Sequence, residues 1–281
     1  MRRIVNKIFV VIVFTILFLN ITACTSRYTL TRVNTKADFT NSLGMSFNKI
    51  PAGTFMMGSP EDEPGRYDAA DYETQHKVTL TKSFYIQTTE VTQGQWKAVM
   101  GNNPSHFKNC GNECPVEMVS WKDVQDFITK LNKLNQGIYR LPTEAEWEYS
   151  ARAGTTTRFN TGNCLSTDEE NVNGSFSEGC PEGEHKMPTG TPVPVASFPP
   201  NALGFYDVHG NVFEWVQDTD GNYSSEAVTD PISLKSSKHR IVRGGCYFES
   251  ADAARSAWRP GFSQDGRAAF IGFRLVLHQI P

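Results

Sequence analysis

The sequence predicts an α+β domain with little regular secondary structure. Three observations carry this. Strand-like apolar runs are short and bounded by Gly, Pro or Asn. Only three Ser/Thr-led capping patterns stand in front of an apolar helical stripe. After Ala153 the chain is mostly loop, rich in Gly, Pro, Asn and Ser. Loops of such length need local staples, and disulfides or bound ions supply them.

In chain order, Met45–Ile50 and Phe55–Met57 read as strands around the turn Pro51-Ala52-Gly53. Val78–Leu80 and Phe84–Ile86 read as a further strand pair. Thr92 with Gln95 forms a capping box that opens a helix holding Trp96, Val99 and Met100. Ser120 with Asp123 is a looser version, and the helix after it carries Val124, Phe127, Ile128, Leu131 and Leu134 on one face. Thr143 with Glu146 opens a third helix, with Trp147 and Tyr149; both Trp147 and Trp215 read as core. Glu144, Glu146 and Glu148 read as caps and surface charges, favoured at the positive end of the helix dipole. Glu61-Asp62-Glu63 and Asp168-Glu169-Glu170 read as solvated loop charges. Ile241-Val242-Arg243 and Gly272–Leu277 read as closing strands. Between them there is almost no periodicity. Phe248, Trp258, Phe262 and Phe270 lie there among small and polar residues. Two readings compete at this point: an adaptable recognition surface, and an ordinary loop with buried aromatics.

Arg2, Arg3 and Lys7 precede an apolar run, Ile8 to Leu19, too short to span a bilayer. Ile21-Thr22-Ala23-Cys24 follows, with a small residue just before the cysteine. Residues 1–23 read as a lipoprotein signal peptide, with an ordinary secretory signal as the alternative. Cys24 would then carry thioether-linked diacylglycerol, and two or more acyl chains at about 0.8 kcal/mol per buried CH₂ anchor stably. Residues 24–39 read as a tether and 40–281 as the folded domain. The expected location is a bacterial membrane, at the outer membrane and cell surface. Loss of residues 1–23 removes three positive charges and takes the formal charge from −3 to −6. No basic patch stands out, so nucleic acid is not an expected partner.

Five cysteines remain beside Cys24, in a compartment where pairing is expected. Cys110 and Cys114 are close enough to close a small loop, and Cys164 and Cys180 flank a polar one. Cys246 is left over. Zinc is the rival reading, but the spacings are irregular and no histidine cluster completes a site.

Seven motifs run in order between residues 40 and 278. They are Gly53-Thr54-Phe55-Met56-Met57-Gly58-Ser59, Thr89-Glu90-Val91-Thr92, Val119-Ser120-Trp121, Arg140-Leu141-Pro142-Thr143-Glu144-Ala145-Glu146-Trp147-Glu148-Tyr149, Gly210-Asn211-Val212-Phe213-Glu214-Trp215, Arg243-Gly244-Gly245 and Gly272-Phe273-Arg274. With these the chain resembles the formylglycine-generating enzyme (sulfatase-modifying factor) family, and the resemblance implies a C-type-lectin-like fold. Oxidases of that family hold copper on two thiolates, which suit Cu(I). Here the two positions are Glu249 and Ala254, so the resemblance implies a chain without oxidase chemistry and without a catalytic cofactor. Sulfoxide synthases of the same fold hold iron on three histidines of an added domain. The six histidines here are scattered and that domain is missing from the sequence. The resemblance also implies a structural calcium loop, with the side chains of Asp207 and Glu214 and the carbonyls of Gly210 and Val212 as ligands; hard oxygen donors suit calcium. A metal-free turn is the alternative.

A narrower resemblance concerns the ending. Arg243-Gly244-Gly245-Cys246-Tyr247, Ala251-Asp252-Ala253-Ala254-Arg255-Ser256-Ala257-Trp258-Arg259, Gln264-Asp265-Gly266-Arg267 and Ile271-Gly272-Phe273-Arg274 resemble the fixed skeleton of treponemal variable lipoproteins diversified by a retroelement. The gaps in that skeleton fall at Phe248, Glu249, Ser250, Ala253, Trp258, Pro260, Gly261, Phe262, Ser263, Gly266, Ala268, Ala269 and Phe270. By this resemblance residues 241–277 form a variable region. Those thirteen positions would bind a macromolecular or cell-surface ligand, with Phe248, Trp258, Phe262 and Phe270 as anchors. Two other functions compete: a fixed structural or assembly lipoprotein of the same fold, and a copper-dependent oxidase.

Overall fold

A computed structural model describes residues 37–67, 71–173, 178–180 and 190–279. Cys24, the signal segment and the tether up to residue 36 lie outside the described residues. The strands are β1 (Phe39–Thr40), β2 (Ser46–Ile50), β3 (Gly53–Met57), β4 (His76–Leu80), β5 (Phe84–Gln87), β6 (Ile138–Arg140), β7 (Phe213–Thr219), β8 (Val228–Thr229), β9 (His239–Arg243), β10 (Gly261–Ser263), β11 (Ile271–Gly272) and β12 (Val276–Gln279). The helices are α1 (Gln93–Met100), α2 (Trp121–Asn132) and α3 (Glu144–Arg152).

The three helices start where the capping patterns place them. Thr92, Ser120 and Thr143 each accept the backbone N–H three residues on, and Gln95, Asp123 and Glu146 return the bond to the cap. On α2, Val124, Phe127, Ile128 and Leu131 are buried. Leu134, expected on the same face, lies beyond the helix end and is 47% exposed. The helix stops at Asn132, whose side chain turns to bond Tyr139 on β6 through both its amide and its oxygen. That bonding draws the chain away before Leu134 can reach the core.

The strands sort into three sheets, in the orders β1-β2-β5-β12-β6, β10-β9-β7-β11 and β3-β4-β8. The expected strand pairs are rearranged. β2 and β3 do not pair across Pro51-Ala52-Gly53; β2 pairs with β5 and β3 with β4, in separate sheets. The proline-led turn switches the chain from one sheet to the other. The closing strand Gly272–Leu277 is also divided. β11 pairs in parallel with β7, while β12 lies between β5 and β6. Between them, the carbonyls of Phe273 and Leu275 accept the N–H groups of Val91 and Gln87. The end of the chain therefore threads the centre of the largest sheet.

The core is built around these crossings. Trp96 stacks on Phe127 at 5.1 Å, and Phe273 meets the edge of both rings. Trp147 and Trp215 are fully buried, as expected of core residues. Burial of side chains this large contributes about 25 cal/mol per Å² of apolar surface. Disulfides join Cys110 to Cys114 and Cys164 to Cys180, with Cα atoms 5.8 and 5.7 Å apart. Cys246 is a free, buried thiol. Among the described residues, no helix is long and apolar enough to cross a membrane.

The turn after β9 needs glycine for two reasons. Gly245 has φ +77°, and a Cβ there would lie 2.7 Å from Cβ and 2.8 Å from Cα of Ala254. Gly44 has a similar φ of +73° but open space around it. Gly44→Ala is expected to cost only the left-handed penalty of about 1–2 kcal/mol, whereas Gly245→Ala costs more because the backbone at Ala254 must move. Thermal denaturation of the two variants checks this; equal losses would contradict the close packing.

Candidate ligand-binding face

The residues from Arg243 to Arg274 fold with little hydrogen-bonded regularity of their own. The skeleton residues Ala251, Ala254, Arg255, Ser256, Ala257, Arg259 and Ile271–Arg274 are buried. Between them Phe248 and Ser263 are exposed. Glu249, Ser250, Ala253, Trp258, Pro260, Gly261, Phe262, Gly266, Ala268, Ala269 and Phe270 are half-buried. All thirteen gap positions thus reach the surface from a buried frame.

Ion pairs hold the frame. Arg243 bonds Glu148 at 2.6 Å and Glu144 at 3.3 Å, both on α3, and also donates to the carbonyls of Ser256 and Ala257. Arg255 bonds both oxygens of Glu73 at 2.9 Å and Glu63 at 2.7 Å. Arg259 forks onto Glu144 at 2.7 and 2.8 Å. Arg274 forks onto Glu214 at 2.7 and 2.6 Å. Burial alone would push the Glu144 carboxyl up, but the guanidinium groups of Arg259 and Arg243 hold it below the usual carboxylate range.

This corrects the reading of the acidic clusters. Glu144, Glu148 and Glu63 are buried counter-ions rather than surface charges, and Glu170 is buried as well. Glu146 does act as the cap, and also pairs with Arg140 at 2.6 Å. Further ion pairs complete the frame. Arg267 forks onto Asp123 at 2.7 Å, Lys122 meets Asp265, and Arg158 meets Asp252. His209 is neutral, its pKa lowered to about 4 by burial. Its Nε2 accepts from Asn160 N–H, so Nδ1 carries the proton and donates to the Ala254 carbonyl.

The four aromatic residues do not form one cluster. Phe248 meets the edge of Phe270 at 5.0 Å, and Phe270 meets Phe262 at 6.2 Å. Tyr247 continues this array to Phe107, whose backbone N–H is held by Glu117. Trp258 stands apart on Tyr67, with ring centres 5.6 Å apart. Sequence reasoning missed Phe107 and Tyr67, because nothing local ties them to the C-terminal segment; Tyr67 is 49% exposed.

Neither Glu249 nor Ala254 carries a thiol, and Ala254 is buried under the glycine turn. Burial pushes the Cys246 thiol up to about 12, so it stays protonated at neutral pH. In the expected calcium loop, both oxygens of Glu214 are engaged by Arg274, and one also accepts from Trp147. Asp207 accepts the Ala196 N–H through Oδ2, while its buried Oδ1 has no partner. Burial is the main cause that raises Asp207 to about 6, and it pushes neighbouring Glu90 and Glu170 well above the usual range. Among the described residues, no group of three or more His, Cys, Asp or Glu is placed to hold a metal ion.

A family model, the sulfatase-modifying factor enzyme 1-like domain, matches residues 37–279. The chain belongs to this family. It is 33% identical over 210 residues to the formylglycine-generating enzyme of Bos taurus, which covers 70% of this chain and 54% of that one. It spans about half the length of the formylglycine-generating enzymes it matches. It is 28% identical over 258 residues to the chaperone protein LppX of Paenibacillus barcinonensis, covering 76% of this chain and 87% of the relative. The structure of Treponema denticola variable protein 1 superposes with a TM-score of 0.73 at 26% identity, over 86% of this chain and 99% of that chain. The fold is the helix-poor, C-type-lectin-like one that this family shares.

Two outcomes follow for this family member. Glu144→Gln leaves the Arg259 guanidinium buried without its counter-charge and is expected to cost about 3–5 kcal/mol, read by urea denaturation. Asp218, buried beside Glu144, has its pKa pushed up to about 7, first by burial and then by the Glu144 charge. Its unfolded value is about 3.9, so between these values the folded chain holds a proton that the unfolded chain releases. The stability it contributes is full below about pH 4 and is lost as pH rises through about 7. Asp218→Asn should therefore narrow the difference in Tm between pH 5 and pH 7.5; an unchanged difference would contradict the assignment.

Proposed function

We propose that this protein is a lipid-anchored, surface-displayed receptor without catalytic activity, whose thirteen gap positions bind a macromolecular or cell-surface ligand. The observation that carries this reading is the partition of residues 243–274: buried paired arginines alternate with positions that reach the surface. Such a frame lets specificity change without unfolding the domain. The reading draws further support from the likeness to a protein described as variable. The lack of a thiol at positions 249 and 254, together with a protonated Cys246, supports a non-catalytic role. Anchoring would come from lipid on Cys24.

The test is to sequence the last fifty or so codons of the gene from many cells of one population. Differences confined to the thirteen positions, with Arg255, Arg259 and Ile271–Arg274 unchanged, are expected. A uniform sequence would favour the second reading, a fixed structural or assembly role; the Paenibacillus relative is named a chaperone.

The same reading includes a structural calcium ion. Of the expected ligands Asp207, Glu214 and the carbonyls of Gly210 and Val212, the donor chemistry fits at Asp207, whose buried Oδ1 accepts no N–H bond. It does not fit at Glu214, which is neutralised by Arg274. When bound, the ion supplies positive charge to a loop with a carboxylate excess. Calcium at 100 times its Kd is expected to stabilise by about 2.7 kcal/mol, seen as a rise in Tm that EGTA reverses and Asp207→Asn removes. A Tm indifferent to calcium would count against the site.

A further inference from the structure

A second site shares the Glu144–Arg259 pair with the frame described above but is lined by none of the thirteen gap positions. A cavity of about 470 Å³ opens between the start of α3 and the chain joining β7 to β9. This is within the range of small-molecule pockets, about 300–1,000 Å³. The receptor reading makes no use of it.

Its walls are largely apolar, formed by Met57, Ala145, Val228 and Pro231. At the mouth stand Ile232 and Leu234, 46% and 60% exposed. Single exposed aliphatic residues need no explanation, but two that share the rim of an apolar cavity mark a binding groove. The rim is fixed in place. Ser233, between them, donates its N–H to Asp218 at 2.7 Å, and its carbonyl accepts from Thr219 N at 2.8 Å. Asp218 in turn accepts the N–H of Glu144 at 2.8 Å, which ties the rim to α3.

The charges inside are already matched. The Arg259 guanidinium lies 3.9 Å from the centre of the Tyr223 ring and forks onto Glu144. The ion pair inside therefore offers no unmatched charge to a ligand. Lys235 is different. It is exposed at the mouth and makes no salt bridge among the described residues.

We propose that this cavity binds a small amphiphile, with an apolar body between Met57 and Val228 and a carboxylate head at Lys235. The apolar walls select the body and the lysine selects the sign of the head. An exposed ion pair contributes little, so affinity comes mostly from the body and the head tunes it.

The test is calorimetric titration of decanoate, and of decanol, into the full chain carrying Cys24→Ser, which takes no lipid. Saturable one-site binding of both is expected. Val228→Trp, which fills the cavity, should weaken both at least tenfold; if it does not fold, Ile232→Asp at the exposed rim serves instead. Lys235→Glu should weaken decanoate about two- to fivefold and leave decanol unchanged. Absence of saturable heat, or binding untouched by Val228→Trp and Ile232→Asp, would overturn the proposal. Phe248→Ala should leave decanoate binding unchanged, so this inference and the receptor reading stand or fall separately.

Discussion

A guanidinium taken out of water must meet a carboxylate, or it costs several kcal/mol. Arg243, Arg255, Arg259 and Arg274 are all buried, and all belong to one segment with little hydrogen-bonded regularity. Their partners Glu144, Glu148, Glu73, Glu63 and Glu214 come from α3, from the loop between β3 and β4, and from β7. The segment is therefore positioned by charge matching to the rest of the chain as well as by its short strands β10 and β11. A buried pair of this kind is weak evidence for net stability but strong evidence for a fixed arrangement, since breaking it leaves an unpaired charge.

That constraint separates two kinds of position. A residue beneath the surface must match a specific distant carboxylate or fit beneath the glycine turn. A residue between those anchors meets solvent on one side, although Phe262 and Phe270 also pack inward on Trp215 and Phe213. Met118 N–H bonds the Ala268 carbonyl, Phe213 N–H bonds that of Phe270, and Asn173 N–H bonds that of Glu249. Such bonds do not depend on which side chain is present. These backbone bonds fix the course of the face. Phe107 and Tyr67 lie outside the segment and border it with aromatic surface.

Local features of this architecture were legible in the sequence, and non-local ones were not. Thr92, Ser120 and Thr143 announced their helices because a capping box is closed within three residues. The disulfide partners Cys110 and Cys114 were legible for a similar reason, their separation being four. Strand existence could be read for β2 to β5, but not which strands pair, because Pro51-Ala52-Gly53 looks like a hairpin turn and instead moves the chain between sheets. Glu63, Glu144 and Glu148 were misread because a carboxylate beside other acidic residues looks solvated. The arginine partners of Glu63 and Glu144 lie 192 and 115 residues away, beyond any periodicity, whereas Glu148 has both Arg243, 95 residues away, and the local Arg152 four residues on. At the candidate face, the skeleton and its gaps were visible as motif and interruption, whereas the placement of Trp258 on Tyr67, apart from the phenylalanines, depends on tertiary packing.

The central claim is that the fold is indifferent to the side chains at the thirteen gap positions and dependent on the four arginines. A library randomised at all of these sites, sorted for protease resistance and sequenced, tests it directly. Resistant members should carry nearly any residue at Phe248, Glu249, Trp258, Phe262 and Phe270, and retain arginine at 243, 255, 259 and 274. Selection at the gap positions as strong as at the arginines would contradict the account.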